Sequence, residues 1–220
     1  TSDNVTSPVI THDLEDDTVD AGKLFIIGGG SRSQELIQRM VKAADLKVGD
    51  HVVILPMASS EPDSACFYIK KQLQLATEAD INCLKLSQKD TSNVKALDEV
   101  RHADLIYICG GDQNRFMEVV RGNAIHKAIQ TAYREGALVA GSSAGAAMMS
   151  QIMITGDQRK TEDYESTYSR VETKNGIYAP GLGLLKNAVI DQHFIARSRY
   201  NRALTALYDH PGKSVFGIDE

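Results

Sequence analysis

The sequence predicts an α/β domain built on a mostly parallel sheet. Apolar runs of strand length alternate with longer stretches of helical spacing, which is typical of parallel strands covered by helices on both faces. The expected strands are at 24–27, 51–56, 81–86, 104–109, 137–141, 187–191 and 214–218. The clearest helical stretches are at 33–46, 64–79, 123–136 and 146–153.

Each expected strand is a nearly continuous apolar run, as buried parallel strands are. LFII begins the series, HVVILP and DLIYIC contain the longest runs, and SVFGI comes last. The intervening stretches space their apolar residues three or four apart, which gives a helix one buried face. In such a sheet, ligands bind outside the carboxyl ends of the strands, so residues that follow the strands are the candidates for chemistry.

Size and composition favour one domain. The chain has 220 residues, 42% hydrophobic and 24% charged, enough for a single buried core. We expect the polar, acidic residues 1–22 to form a flexible leader and residues 23–220 to form one α/β domain. Because the sequence starts with Thr rather than Met, we expect that its natural start was processed or trimmed.

Several classes of function are disfavoured. No apolar run approaches the roughly 18 residues that span a bilayer, and a net charge of -5 does not attract nucleic acid. The cysteines Cys66, Cys83 and Cys109 are too few and too scattered for a disulfide framework or a zinc site. The triple glycine at 28–30 lacks the GxGxxG spacing of a dinucleotide site. We therefore predict neither a metal nor a cofactor.

The segment 141–145 matches GxSxG between an expected strand and an expected helix. This is the context of a nucleophile elbow, in which a sharp turn exposes the central serine, Ser143. Small residues and Ser142 or Ser143 could equally serve only to cap and pack the helix. The pattern alone leaves both interpretations open.

A nucleophilic serine needs a histidine base and an acid that orients it. Of the six histidines, only His193 directly follows a strand at the presumed catalytic edge. Asp219 and Glu220 follow the strand at 214–218, and spacing does not separate them. A packed histidine and two solvated acids are the alternatives.

Two further strand ends carry polar residues. Residues 110–113 offer unobstructed backbone N–H groups for an oxyanion hole, or a plain turn in which Asp112 caps a helix. Arg197, Arg199 and Arg202 lie close together after His193. Guanidinium groups hold carboxylates bidentately, which favours an anionic substrate if these side chains face the site. If they face outward, they form a solvated helix face.

The sequence contains six motifs in the order FIIGGG, YICGGDQNR, AGSSAGA, GLGLL, DQHFIARSRYNR and GIDE. Over residues 23–220 the chain closely resembles the cyanophycinase family of serine peptidases, which are related to aspartyl dipeptidases. The resemblance implies an α/β/α sandwich of flavodoxin-like or class I glutamine-amidotransferase-like form, usually as a homodimer. It also implies cleavage of cyanophycin, a poly-aspartate with arginine on each β-carboxyl, into β-aspartyl-arginine dipeptides.

Carried over by motif, the resemblance implies a role for each candidate residue. The nucleophile is Ser143, the base His193 and the orienting acid Glu220. The oxyanion hole takes the backbone amides of Gly111 and Ala144. The expected substrate contacts are Asp112, Gln113, Asp191, Gln192, Arg197, Arg199 and Arg202.

The sequence departs from the family pattern in two respects, and two other functions compete with a cyanophycinase. The family chain normally continues beyond the GIDE segment, so Glu220 is expected at an exposed terminus from which closing strands are absent. The charged loop expected at 155–180 is of a kind that varies among such enzymes. One rival function is a related aspartyl or isoaspartyl dipeptidase. The other is a non-catalytic α/β protein that binds an anion at the GGG turn.

Overall fold

A computed structural model of the chain describes residues 22–160 and 167–220. The leader expected at 1–22 therefore lies outside the described residues, apart from Gly22.

A five-stranded parallel sheet forms the centre of the fold. Its strand order is β1-β5-β4-β2-β3, and every neighbouring pair is parallel. The strands are β1 (Lys23–Ile27), β2 (His51–Leu55), β3 (Asp80–Cys83), β4 (Leu105–Ile108) and β5 (Leu138–Ser142). Each expected strand of this sheet is found within a few residues of its predicted position.

The helices include the three long ones that the spacing predicts and several that it did not single out. They are α1 (Gln34–Ala44), α2 (Pro62–Gln74), α3 (Val94–Arg101), α4 (Gln113–Val120), α5 (Ala124–Arg134), α6 (Ala144–Ala147) and α7 (Tyr200–Asp209), with a short 3-10 helix at Gln88–Ser92. Within residues 22–160 and 167–220, none is both long enough and apolar enough to cross a bilayer.

Two hydrophobic cores lie on opposite faces of the sheet. Along β2, Val52 and Ile54 pack in the core that α1 and α2 cover. The alternate residues Val53 and Leu55 pack in the core that α3, α4 and α5 cover. Because successive strand residues point to opposite faces, a strand that is apolar throughout must be covered on both sides. The predicted three-layer α/β/α sandwich with a mostly parallel sheet is confirmed.

Two small sheets complete the described fold. β6 (Ile152–Gln158) and β7 (Gly176–Pro180) are antiparallel, whereas β8 (Ala188–Gln192) and β9 (Ser214–Ile218) are parallel. The prediction of a loop over 155–180 is therefore wrong at both ends, because residues 155–158 belong to β6 and residues 176–180 to β7. Their pairing joins residues 18 to 28 positions apart, which local periodicity does not report.

The helix expected at 146–153 is also corrected. α6 ends at Ala147, and the chain then turns through Met148 and Met149, both fully buried, to begin β6 at Ile152. An apolar run predicts burial, but it does not distinguish a buried turn from a helix.

One disulfide joins α2 to the end of β3. Cys66 and Cys83 are bonded with their Cα atoms 6.2 Å apart, while Cys109 is free and buried. That Cα separation lies in the usual range for disulfides. The sequence argument against a disulfide framework missed this bond, because the two cysteines meet only when α2 packs beside β3.

Candidate active site

Ser143 occupies a sharp turn between β5 and α6. Its φ of 55° and ψ of −111° lie in a region that non-glycine residues rarely adopt, at a cost of about 1–3 kcal/mol. A side chain at Gly145 would place its Cβ 2.4 Å from the carbonyl oxygen of Ile108. One at Gly141 would come equally close, 2.4 Å, to the carbonyl oxygen of Gly145. The small residues are thus a steric requirement of this turn, whose geometry is that expected of a nucleophile elbow.

The structure brings Ser143, His193 and Glu220 into one hydrogen-bonded line. The Oγ atom of Ser143 lies 2.7 Å from Nε2 of His193, and Nδ1 of His193 lies 2.5 Å from Oε1 of Glu220. Because the carboxylate can only accept, the imidazole proton belongs on Nδ1, which leaves Nε2 as the acceptor for the serine hydroxyl. This is the arrangement that a base and its orienting acid need.

The triple glycine makes room for the histidine and its acid. A Cβ on Gly29 would lie 2.1 Å from Cε1 of His193, and one on Gly30 would lie 2.6 Å from Cβ of Glu220. The backbone N–H of His193 also donates to the carbonyl of Gly28 at 3.0 Å. Sequence reasoning weighed these glycines only as an anion-binding turn, because their contact with His193 arises between distant segments.

Geometry distinguishes the two acids that spacing left equivalent. Oδ1 of Asp219 accepts from the backbone N–H groups of Ile195 and Ala196, both at 2.9 Å. The bond from Ala196 contributes most to a pKa of Asp219 below its usual value. Asp219 therefore holds the segment after His193, while Glu220 contacts the imidazole.

Two free backbone amides lie beside Ser143. In the described part of the chain, neither the N–H of Gly111 nor that of Ala144 makes a hydrogen bond. Gly111 has a φ of 140°, and a Cβ there would lie 2.1 Å from the carbonyl oxygen of Ala58. A Cβ on the neighbouring Gly110 would lie 3.3 Å from Cβ of Ser143. The glycine turn thus runs close to the serine, where its N–H could meet a developing oxyanion.

Asp112 and Gln113 are both engaged within the protein. Oδ1 of Asp112 accepts from the backbone N–H groups of Asn114 and Arg115, which caps α4. The buried Gln113 donates from Nε2 to the carbonyls of Ile154 at 2.8 Å and Thr155 at 3.0 Å. These bonds tie the start of α4 to β6, beside the serine.

The arginines differ in what they contact. Arg202 is buried and donates from Nε to both carboxylate oxygens of the equally buried Asp191, at 3.1 Å each. Arg199 is buried and donates to the carbonyl of Gln192 at 2.7 Å. Arg197 is exposed, and it forms no ion pair with any described residue. Asp191 therefore pairs with Arg202, whereas the guanidinium of Arg197 is exposed to solvent.

These side chains line a cavity of about 460 Å³ beside Ser143, which we call the arginine cavity. Gln192 lies on the wall of this cavity, and its buried Oε1 atom has no hydrogen-bond partner in the part of the chain that the structure describes. Of the expected substrate contacts, Asp191 alone does not line this cavity. The walls of the arginine cavity include Asp112, Gln113, Asp157, Gln192, Arg197, Arg199 and Arg202.

No metal centre competes with this site in the described ranges. No group of three or more His, Cys, Asp or Glu side chains there is arranged to hold a metal ion.

Known proteins are similar to this chain in sequence. The model of the family described as Peptidase family S51 matches residues 24–220. A cyanophycinase of Nostoc sp. is 30% identical over 204 residues, covering 90% of this chain and 65% of that protein. A cyanophycinase of Geminocystis herdmanii is 28% identical over 203 residues, covering 90% of this chain and 71% of that protein. The chain thus spans less than two thirds of the Nostoc relative.

Two solved structures share the fold. A peptidase from an acI-B1 actinobacterium superposes with a TM-score of 0.66 at 20% identity, covering 91% of this chain and 81% of its own. A proposed peptidase E protein of Listeria monocytogenes EGD-e gives 0.58 at 18% identity, covering 90% of each chain. At these identities the likeness concerns the fold alone.

Replacing Gly29 with Ala should misplace the imidazole, because the new methyl group occupies space now held by the His193 ring. We expect labelling of Ser143 by a serine-directed phosphonate to slow by about 10²-fold, the effect of a displacement near 1 Å. Gly136→Ala is the matched control, since its φ of 111° is also positive and nothing lies within 4 Å of its Cβ. Equal labelling rates for the two variants would refute the steric role of Gly29.

Replacing Arg202 with Gln should leave Asp191 charged and unpaired in the interior. The expected loss is about 3–5 kcal/mol in the free energy of unfolding, measured by urea denaturation. Arg197→Gln is the control, and it should change that free energy by less than about 0.5 kcal/mol because Arg197 is exposed. A loss for Arg202→Gln no larger than the control's would contradict a structural role for the pair.

Proposed function

Because the chain belongs to peptidase family S51, we propose that it is a serine peptidase that cleaves aspartyl peptide bonds through an acyl-enzyme. The observation that carries this proposal is the line of hydrogen bonds from Ser143 through His193 to Glu220, which begins at a strained elbow. A serine that served only to cap a helix would need neither the aligned histidine nor the positive φ. The mutual geometry of the groups supports the three proposed roles.

In the proposed reaction, Oγ of Ser143 attacks the carbonyl carbon while Nε2 of His193 takes its proton. Glu220 accepts from Nδ1 and stabilises the imidazolium that forms. The N–H groups of Gly111 and Ala144 donate to the tetrahedral oxyanion, where each such donor is worth about 3–4 kcal/mol. The intermediate then expels the amine, to which His193 returns the proton.

Water completes the cycle in the second half-reaction. His193 takes a proton from a water molecule, which attacks the acyl-enzyme carbonyl, and the imidazolium then protonates Oγ of Ser143. The carboxylic acid product leaves, and the resting hydrogen bonds re-form. No step requires a metal or an organic cofactor.

We further propose cyanophycin as the substrate. Each repeating unit of that polymer carries one guanidinium and one free carboxylate, both on its arginine, so its recognition requires both signs of charge. The arginine cavity offers both, since Arg197 lies at one part of its wall and the exposed acids Asp112 and Asp157 at others. The cyanophycinase relatives support the same substrate class. Assembly as a homodimer, which the resemblance implies, stays a prediction.

An aspartyl dipeptidase is the competing function, because the same triad would act on small aspartyl peptides. The deciding experiment offers the protein insoluble cyanophycin and a panel of α- and β-aspartyl dipeptides, with products identified by mass. Release of β-aspartyl-arginine from the polymer supports the cyanophycinase. Hydrolysis of dipeptides with an untouched polymer supports the dipeptidase, and no product from either substrate refutes the peptidase.

Replacing Ser143 with Ala should abolish hydrolysis by removing the attacking oxygen. The expected loss exceeds about 10⁴-fold in kcat, since the remaining site can stabilise charge but cannot form the acyl-enzyme. The circular dichroism spectrum should match that of the wild type, because Ala removes one oxygen from a partly exposed turn. Near-normal turnover by the folded variant would exclude Ser143 as the nucleophile.

Replacing Glu220 with Gln should lower kcat by about 10²–10⁴-fold, because a neutral amide neither fixes the tautomer of His193 nor stabilises the imidazolium. Asp219→Asn is the comparison, since Asn keeps an oxygen that can accept from Ile195 and Ala196. We expect this second variant to retain kcat within about tenfold. The reverse order of effects would make Asp219 the orienting acid.

A further inference from the structure

A second cavity, of about 300 Å³, is also lined by Ser143, and we call it the Arg32 cavity. Ser143 is the one described residue that lines both this cavity and the arginine cavity. Ser143, the proposed nucleophile, thus lies where the two cavities meet. A peptide whose scissile carbonyl reached Ser143 would extend into both.

Arg32 provides a fixed positive charge at the Arg32 cavity. Its Nε donates to Oε1 of Gln72 at 3.3 Å, and Nε2 of Gln72 donates back to the carbonyl of Arg32 at 2.9 Å. Arg32 is half-buried, and within residues 22–160 and 167–220 no carboxylate forms an ion pair with it. The guanidinium is therefore held in place by Gln72 while its terminal N–H groups have no acidic partner.

Tyr107 adds an unpartnered hydroxyl to the same wall. Its side chain is 1% exposed, and its hydroxyl makes no hydrogen bond of good geometry to any described residue, although Ser142 and Arg32 lie near enough to lower its pKa. Burial raises the pKa of Tyr107 to about 12, although the nearby charge of Arg32 lowers it in part. Tyr107 is thus a neutral donor at physiological pH. A buried polar group without a partner is uncommon in proteins and is a reason to look for a ligand.

The rest of the lining bears no negative charge. Burial also raises the pKa of the Cys109 thiol to about 12, so it stays protonated beside Arg32. No Asp or Glu among the described residues lines this cavity, whereas Asp112 and Asp157 line the arginine cavity. Ala65 and Ile69 of α2 form an apolar side. One cation, neutral donors and a short apolar wall match a carboxylate on a short aliphatic stem.

The position of His193 decides which part of the peptide enters. His193 lines the Arg32 cavity but not the arginine cavity. In the proposed mechanism the imidazolium gives its proton to the departing amine, so the departing residue must lie on the side of the imidazole. The acyl portion then occupies the arginine cavity, which Gly111 of the proposed oxyanion hole also lines.

We propose that the Arg32 cavity binds the carboxylate of the residue that leaves as the amine, with the Arg32 guanidinium and the Tyr107 hydroxyl as its donors. The assignment of the departing residue to this cavity rests on the proposed function. The assignment of a carboxylate site rests only on the residues that line the cavity. The consequence is selectivity for peptides whose departing residue ends the chain.

The test compares peptides that differ only at the terminal group. Two linked β-aspartyl-arginine units and an α-aspartyl dipeptide are each prepared as the free acid and as the amide of the terminal backbone carboxyl. For whichever peptide the wild type cleaves, kcat/KM should be at least about tenfold higher for the acid. Arg32→Gln should lower kcat/KM for the acid by about 10–100-fold and remove most of this preference.

Tyr107→Phe removes only the unpartnered hydroxyl, so it should fold normally and lower the acid preference by about tenfold. Arg39→Gln is the matched control, because Arg39 is an exposed arginine of α1, a few residues after Arg32, and pairs with Glu35 outside both cavities. That variant should behave as the wild type. An acid preference that survives both Arg32→Gln and Tyr107→Phe, or that the wild type lacks, would overturn the proposal.

A separate binding measurement keeps this outcome distinct from a failure of the peptidase assignment. If the wild type cleaves neither peptide, calorimetry on Ser143→Ala and on Ser143→Ala with Arg32→Gln measures binding of the acid and the amide. Tighter binding of the acid by at least about tenfold, lost with Arg32, supports the carboxylate site without the peptidase. Equal binding, or no binding of either form, refutes the site.

Discussion

The end of β1 is the point on which the whole site depends. The carbonyl of Ile27 accepts from the backbone N–H of Ser143 at 2.9 Å, and the carbonyl of Gly28 accepts from that of His193 at 3.0 Å. A Cβ on Gly28 would lie 2.2 Å from the carbonyl oxygen of Asp219, so the last residues of the chain also rest on this turn. Three distant segments meet where β1 ends. Main-chain hydrogen bonds to Ile27 and Gly28 thus hold the backbones that carry Ser143 and His193 next to each other.

That convergence explains why glycine occurs where it does. Backbone and imidazole approach so closely at Gly29, and backbone and Glu220 at Gly30, that no side chain fits. Ser143 itself keeps a positive φ, and the buried strands and α6 around it hold the strained turn in place. Strain of about 1–3 kcal/mol is acceptable in a domain whose sheet is covered on both faces. The serine is thereby presented toward the histidine instead of back into its own helix.

Much of this could be predicted from the sequence, within physical limits. The strand positions followed from apolar runs, and Ser143 and His193 followed from their places at strand ends. What the sequence could not separate depends on contacts between distant segments: Asp219 from Glu220, the packing role of the triple glycine, and the pairing of Cys66 with Cys83. The arginines illustrate the same limit, since their spacing groups them while burial distinguishes Arg202, paired with Asp191, from the exposed Arg197. Membership of peptidase family S51 confirms the family resemblance that the motifs predicted.

The two cavities that meet at Ser143 set the proposed orientation of the substrate. Its acyl portion lies in the arginine cavity and its departing residue in the Arg32 cavity. A crystal structure of the protein treated with an aspartyl phosphonate would test the proposed roles of Ser143 and the two free amides together. We expect a covalent bond from phosphorus to Oγ of Ser143, with a phosphonyl oxygen accepting from the N–H groups of Gly111 and Ala144. An unmodified Ser143, a phosphonate attached to another residue, or an oxygen that points away from both amides would contradict these roles.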